Sequence, residues 1–216
     1  MAIAEREIAA PAQSVPEDAD ENFVDENFVP EPYRWTREQF HSMKEAGLFE
    51  GQRVILIEGE IFAMPPVGNL HRGIVTAASE VLRSTFGTGF FVSEEKPFGV
   101  GAATDPLPDI AVVSGTVRDY LYQGITEAAV IVEVSYSTLG FDRVRKASLY
   151  AKAGVADYWV INLDSQPPQV EVHRQPMPDE AQPHGFGYSV KTVHLSGEII
   201  QPLAAPHPVA VSALLP

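Results

Sequence analysis

Two carboxylates stand where the sequence otherwise indicates buried strands. Glu133 lies inside the apolar run AVIVEVS at 129–135, and Asp109 opens the run IAVVS directly after Pro108. A carboxylate in a buried strand must be paired, bound to a metal or protonated, because burying its charge alone is costly. If the two strands are neighbours, both carboxylates can converge at one edge of the sheet. There they could bind a hard divalent cation such as Mg²⁺ through oxygen atoms.

Each carboxylate also has a simpler interpretation. Asp109 alone could be a turn residue that follows a proline, and Glu133 alone could form a buried ion pair with an arginine of the helix that follows it. A third hypothesis takes the two acids as a glycosidase pair. It is the weakest, because it leaves the cations of that helix unexplained.

The segment after the Glu133 strand carries three cations, Arg143, Arg145 and Lys146. Asp142 is predicted to cap the helix RVRKASLYAKAG, which Gly154 would end. The cations would then lie in the first helical turn, where the helix dipole is positive and each costs roughly 0.3–1 kcal/mol at an exposed site.

Lys146 is the cation placed best for chemistry. Side chains on a helix lean toward its N-terminus, so Lys146 would reach back toward Glu133 and Asp109. A cation there could position an attacking water and stabilise negative charge in a phosphoryl transition state. The alternative is an ion pair between Lys146 and Asp142, four residues earlier on the same helix.

Composition and charge limit the possible classes of protein. The chain has 216 residues, a net charge of −14 and no cysteine, which excludes disulfides and thiolate chemistry. Residues 1–32 hold nine acids and one base, and within them the motif ENFV occurs twice. We expect 1–32 to be a flexible acidic arm and 33–216 to be a single domain. The acidic balance argues against broad nonspecific affinity for nucleic acid. The absence of a signal-like N-terminus or an apolar membrane span predicts a cytoplasmic protein.

The remaining pattern predicts a mixed α/β (α+β) domain around one sheet. A helix is predicted from the Thr36 cap to Gly47, followed by a hairpin over 53–64 that turns at Glu58–Gly59. Asn69 is predicted to cap a second helix. The predicted strands are 90–98, 108–114, 129–135 and 159–163, and then a C-terminal β extension interrupted by a Pro-rich loop at 176–184.

Three ordered blocks carry a family resemblance. The run IVEVSYST-x3-D-x3-K-x3-Y-x3-G-x2-DYW, with GQRVILIEGEIFAMPPVGNLH and PLPDIAVV, covers residues 35–164. It resembles the signature of the Uma2 family, restriction-endonuclease-like proteins of the PD-(D/E)XK nuclease superfamily. The resemblance implies a restriction-endonuclease-like core, one mixed β-sheet flanked by helices. It also implies hydrolysis of DNA phosphodiester bonds with Mg²⁺, for which Mn²⁺ can substitute.

The resemblance also assigns roles to residues. It implies that Asp109 and Glu133 bind the metal and that Lys146 joins them as a catalytic residue. Ser135 stands where the superfamily usually has its lysine, so the helix would supply that lysine as Lys146. The candidate supporting residues are His71, Ser135, Asp142 and Tyr150. His71 matches a family histidine that could touch a phosphate or leaving group, or could have a purely structural role.

One departure from the family pattern concerns the first hairpin strand. Uma2-like sequences carry a glutamate where this chain has Ile55, and Glu58 at the turn is not an obvious substitute. The alternative function is therefore a catalytically impaired nuclease fold that acts as a binding or assembly module. The arm and the apolar C-terminus ALLP together suggest a homo-oligomer, in the simplest case a dimer.

Overall fold

The computed structural model describes residues 29–216. The predicted arm at 1–32 and the two ENFV copies therefore lie outside the described residues, apart from 29–32. In chain order the helices and strands are α1 (Arg37–Glu45), β1 (Val54–Ile57), β2 (Glu60–Ala63), α2 (Asn69–Phe86), β3 (Phe90–Glu94), β4 (Ile110–Ser114), β5 (Val130–Ser135), α3 (Leu139–Phe141), α4 (Ala147–Lys152), β6 (Asp157–Asn162), β7 (Gln169–Pro178), β8 (Phe186–His194), β9 (Ile199–Ile200) and β10 (Val209–Ala210). A π-helical turn, Asp142–Lys146, joins α3 to α4.

One six-stranded sheet, in the order β3-β4-β5-β6-β7-β8, forms the centre of the protein. Only the β5–β6 pair is parallel, and it is connected through the helical segment α3–α4. The other neighbouring pairs in this sheet are antiparallel. This is the mixed sheet that the sequence predicted.

Helices cover both faces of the sheet, and the alternating side chains of β5 show which face is which. Val130, Val132 and Val134 pack with the apolar side of α2. Ile131 points to the opposite face, where it packs with Tyr150 of α4. Burial on both faces explains why β5 reads as an almost continuous apolar run. It also means that Glu133, on the same face as Ile131, must find its partners inside the protein.

The N-terminal elements begin and end as their local chemistry dictates. Thr36 and Gln39 form a capping box at the start of α1, as the sequence predicted for Thr36. The predicted hairpin is also confirmed, and Gly59 at its turn has φ +80 and lies against the backbone of Arg34, so a side chain there would clash. The second helix differs slightly from the prediction, because Gly68 occupies the cap position and Asn69 is already helical.

The C-terminal β extension is present with different boundaries. Strand β7 continues to Pro178, so the loop predicted at 176–184 is shorter than expected. Ile200, Val209, Val211 and Leu214 are buried on the α2 face of the sheet. The apolar C-terminus thus packs within its own domain, which removes one of the two observations behind the predicted oligomer. Within 29–216, no helix is long and apolar enough to cross a membrane.

Candidate active site

Strand pairing places the two acidic residues side by side. Strands β4 and β5 are antiparallel neighbours, with Ile110 opposite Val132. Asp109, one residue before Ile110, therefore falls beside Glu133, one residue after Val132. The backbone N–H of Asp109 donates to Oε2 of Glu133 at 3.4 Å. The two residues are 3% and 0% exposed.

Lys146 reaches this pair from the helical segment. Its Nζ lies 2.8 Å from Oε2 of Glu133 and 3.1 Å from Oδ1 of Asp142. Its side chain is 5% exposed, so both contacts are shielded from water. The contact with the strand carboxylate and the i,i+4 contact within the helix, which the sequence left as alternatives, occur together.

Asp142 is not the helix cap that the sequence predicted. The helical segment begins earlier, at Leu139, and Asp142 lies inside it. Its carboxylate accepts hydrogen bonds from the hydroxyls of Ser135 and Thr138. Both hydroxyls donate to Oδ2, and the ammonium of Lys146 lies beside Oδ1, so the carboxylate is held in the interior of the protein and does not cap the helix. Tyr158 donates to the backbone carbonyl of Asp142 at 2.9 Å.

The early start of the helix also corrects the prediction for the cations. They lie in the π-helical turn, beyond the first turn of the segment, so the expected unfavourable interaction with the helix dipole does not apply. Arg143 pairs with Glu171, and Arg145 lies over the ring of Phe62. Of the three cations, Lys146 alone contacts the acidic pair. Single π-helical turns inside helices occur often at functional sites.

Asp109 has further partners from α2, from β5 and from the loop before β1. Nε2 of His71, in the first turn of α2, lies 3.0 Å from Oδ2 of Asp109. The backbone N–H of Val134 donates to the same oxygen at 2.8 Å, and a guanidinium nitrogen of Arg53 lies 3.3 Å from Oδ1. These donors fix the orientation of the Asp109 carboxylate.

Glu133 has one further side-chain partner. The hydroxyl of Tyr150, one of the predicted supporting residues, donates to its Oε1 at 2.8 Å. Both oxygens of Glu133 are therefore occupied by donors inside the protein. Ser135 contacts Asp142 and not the acidic pair, so it does not stand in for the lysine that the superfamily has at this position.

The electrostatics of the three charged groups follow from their burial. Burial opposes the charge of Asp109, yet the hydrogen bond from His71 and the charge of Lys146 hold the pKa of its carboxyl below the usual value. Burial raises the pKa of Glu133 to about 8, because Lys146 offsets only part of the combined effect of burial and the neighbouring carboxylates. Burial also works against a charged Lys146, but the surrounding carboxylates raise the pKa of its ammonium group.

The site opens to solvent through a cavity of about 430 Å³. Asp109, His71 and Lys146 line its floor together with Arg53, and the loop 64–68 with the first residues of α2 forms one wall. Asp109 and Lys146 are thus accessible to a small ligand or to part of a larger one, whereas Glu133 lies buried behind them. A concave apolar site with a few convergent polar groups is typical of binding and active sites.

The donor set fits a divalent cation. Asp109 and Glu133 lie side by side, and Mg²⁺ is usually bound by one or two carboxylates together with waters and substrate phosphates. A cation bound by Glu133 would displace one of the donors that its oxygens now face. Three carboxylates surround the single buried ammonium of Lys146, so additional positive charge would be stabilised there. In the described part of the chain, no group of three or more His, Cys, Asp or Glu side chains is arranged to hold a metal. Any remaining ligands would have to be water or substrate.

Some residues near the site were not singled out from the sequence. Arg53 and Thr138 both contact its carboxylates. Arg53 stands just before an apolar strand. A charged residue is common at the end of a strand, so the sequence alone gives no reason to single it out. Thr138 lies four residues before Asp142, and this i,i+4 spacing could have been noticed had the helix been predicted to start earlier.

The structure also shows the surroundings of the two hairpin positions discussed above, Ile55 and Glu58. Ile55, at the position of the family glutamate, is 1% exposed and packs with Ile57 and Leu149 in an apolar cluster. Glu58 lies at the turn with φ +50, and its carboxylate contacts Lys152 and His184. Glu58 therefore has partners of its own and does not replace the missing acid.

Comparison with known proteins first gives the class of fold. The structure resembles a crystal structure described as a "putative nuclease belonging to DUF820" from Anabaena variabilis ATCC 29413, with a TM-score of 0.60 and 17% sequence identity. The match covers 83% of this chain and 97% of that one. It establishes a nuclease-like fold, in agreement with the predicted fold class.

The family follows from the sequence model. Residues 37–206 match the Uma2 family, described as "Putative restriction endonuclease", and the chain belongs to this family. The resemblance seen in the three sequence blocks is thereby confirmed. No curated protein matches the chain.

Proposed function

We propose that this protein is a nuclease that hydrolyses DNA phosphodiester bonds with the help of Mg²⁺. The observation that carries the proposal is the convergence of Asp109, Glu133 and Lys146, of which Asp109 and Lys146 line one cavity and Glu133 lies buried directly behind them. Membership of a family described as restriction endonucleases supports the nuclease class.

Asp109 and Glu133 would hold the metal. Their adjacent carboxylates supply the oxygen ligands that Mg²⁺ prefers, and Mn²⁺ would bind in the same way. When bound, the cation would supply Lewis-acid stabilisation of the charge that develops on a phosphoryl group. His71 acts as a positioning residue in this account, because its ring holds the Asp109 carboxylate in place.

Lys146 would act as a fixed positive charge and not as a base. Its raised pKa keeps the ammonium protonated at neutral pH, so it cannot accept a proton from water. It can donate hydrogen bonds to a phosphate oxygen or orient an attacking water, and its contact with Glu133 fixes where those donors point. Tyr150 and Asp142 support this arrangement by occupying Oε1 of Glu133 and a second side of the ammonium.

Cleavage of circular DNA in Mg²⁺ or Mn²⁺, with a single-stranded circle and a duplex plasmid as substrates, tests this function. We expect the wild type to cut at least one of the two. We expect Glu133→Ala and the isosteric Glu133→Gln to lose more than the roughly 10–100-fold that removal of an outer-sphere partner costs. Glu58→Gln is the matched control, since Glu58 is an acid at a hairpin turn outside the cavity, and it should cut at the wild-type rate. Cleavage that survives both Glu133 substitutions contradicts the assignment.

The competing proposal is a binding or assembly module on the same fold. Ile55 favours it, because the family glutamate is replaced by a side chain packed in an apolar cluster. Calorimetric titration with Mn²⁺ separates the two proposals. A nuclease site binds the ion and loses affinity on Asp109→Asn, whereas a module without a metal site shows no binding to lose.

The oligomeric state and the cellular location of the protein remain predictions. The prediction of a homodimer now rests on the N-terminal arm alone, because the apolar C-terminal residues are buried against the α2 face of the sheet. Size-exclusion chromatography with light scattering would show a dimer of the full chain if this prediction holds and a monomer if it is wrong. A cytoplasmic location is the default expectation for such a nuclease.

A further inference from the structure

The wall of the cavity is apolar, although its floor is charged. Met64, Pro65, Pro66 and Val67 of the loop before α2 line one side, and Leu163 after β6 also contributes. A phosphodiester group is charged and strongly hydrated, so it gains little from contact with apolar side chains. The wall therefore indicates that a flat, largely apolar part of the ligand lies beside the charged floor.

Two large exposed side chains also line the cavity. Leu70 is 55% exposed and Tyr136 is 62% exposed. Tyr136 directly follows β5, the strand that carries Glu133, and it lines the same cavity as Asp109 and Lys146. An exposed aromatic ring beside a charged floor is the kind of platform on which an unpaired nucleic-acid base stacks.

The charges of the cavity argue against a long duplex as its ligand. Duplex binding relies on many free lysine and arginine side chains that contact successive phosphates. The basic residues that line this cavity are Arg53, His71 and Lys146, and each already faces a carboxylate. This cavity therefore provides one charged patch at its floor, enough for a single phosphate, and no row of unpaired basic side chains.

The size of the cavity agrees with a single nucleotide. Its volume of about 430 Å³ lies within the roughly 300–1,000 Å³ of sites that take a small organic molecule. A stacked duplex presents its bases edge-on in a groove and cannot place one base in such a space without unpairing it.

We propose that this cavity binds one unpaired nucleotide, with the base against Tyr136, Leu70 and the apolar loop and with its phosphate toward Lys146. The inference rests on the proposed nuclease function and specifies its substrate class. The preferred substrate is then a single strand, or a frayed or unpaired segment, and an intact duplex is a poor one.

Equilibrium binding of short oligonucleotides that carry 2-aminopurine tests this inference, because the fluorescence of this base falls when it stacks. Binding is measured with Ca²⁺ in place of Mg²⁺, so that cleavage does not interfere. We expect the single strand to bind at least about tenfold more tightly than the blunt duplex of the same sequence and to be quenched on binding. An RNA strand of the same sequence shows which sugar the cavity accepts, and stacking of either strand on Tyr136 supports the proposal.

Substitutions at the mouth of the cavity identify the stacking residue. Tyr136→Ala should weaken single-strand binding about tenfold or more and abolish quenching, while Tyr136→Phe keeps the ring and should retain both. Tyr122→Ala is the matched control, since Tyr122 is 99% exposed and lies outside the cavity lining. Equal binding of duplex and single strand, no binding of either, or wild-type quenching in Tyr136→Ala would overturn the proposal.

The two proposals can fail separately. A protein that binds single strands through Tyr136 but never cuts in Mg²⁺ or Mn²⁺ keeps this inference and loses the nuclease function. A protein that cuts duplex and single strand equally, with no effect of Tyr136→Ala, keeps the nuclease function and loses this inference.

Discussion

The ammonium of Lys146 lies 2.8 Å from a carboxylate oxygen of Glu133, and their side chains are only 5% and 1% exposed. The two residues come from a helix and a strand on either side of a connecting turn. Each helps the other to be buried, since an isolated buried charge is costly. Their contact is therefore both the centre of the candidate site and a constraint on the fold.

The first prediction concerns the energetic coupling of this pair. Lys146→Met should lower the free energy of unfolding by roughly 3–5 kcal/mol, because it leaves buried carboxylates without their cation. Adding Glu133→Gln should recover part of that loss, since one of those carboxylates is then neutral. Urea denaturation of the two single variants and the double variant above pH 8, where Glu133 is ionised in the folded wild type, measures the coupling. Effects that simply add, within about 0.5 kcal/mol, would show that the contact is not an energetic pair.

The second prediction concerns stability against pH in metal-free protein. The pKa of Glu133 rises from its usual 4.5 to about 8 on folding. Between these values the unfolded chain has released the proton and the folded protein retains it, so this residue makes stability fall as pH rises. Asp109 does not obscure this pH dependence, because the lowered pKa of its carboxyl changes stability only below pH 3.8.

The comparison of wild type with Glu133→Gln isolates this contribution. In EDTA, the difference in unfolding free energy between the two proteins should change steadily between about pH 4.5 and 8 and should be flat above that window. Thermal or urea unfolding at several pH values measures it. A difference that does not depend on pH across the window would mean that the Glu133 carboxyl titrates normally in the folded protein.

The third prediction concerns His71, which lies 3.0 Å from Asp109. His71→Ala should weaken Mn²⁺ binding by about 10–100-fold, the usual cost of losing a partner that orients a metal ligand. The pKa of Asp109 should rise as well, because the hydrogen bond from His71 is a main cause of its lowering. Calorimetric titration measures the affinity, and its pH dependence reports the Asp109 carboxyl.

A second histidine provides the control for this measurement. His41 lies 2.7 Å from the buried Asp105, in a similar pair away from the site. His41→Ala should leave Mn²⁺ affinity unchanged. Equal losses in His41→Ala and His71→Ala would mean that the effect of His71 is one of general stability and not of metal binding.

Much of this site could be predicted because its signals are local. A carboxylate in an apolar strand is visible in a few residues of sequence, as Glu133 is within AVIVEVS. Caps and turns are equally local, which is why the Thr36 cap and the hairpin turn at Gly59 were predicted correctly. The family resemblance then linked residues that periodicity alone could not bring together.

The errors arose where distant residues decide local structure. Asp142 has the sequence of a helix cap, but Ser135 and Lys146 offer it partners inside the protein, and the helix starts three residues earlier. Arg53 and Asp109 are 56 positions apart, and no local pattern indicates that they meet. The cavity is likewise formed by the loop 64–68, the start of α2 and Tyr136, which only the tertiary fold brings together.

The central claim is that Asp109 and Glu133 together hold a divalent cation, and a crystal of the protein soaked in Mn²⁺ tests it most directly. The anomalous signal of Mn²⁺ should give one peak within coordination distance of both carboxylates, and the same soak of Asp109→Asn should lose it. A wild-type crystal saturated with Mn²⁺ that shows no peak between Asp109 and Glu133 would contradict the account.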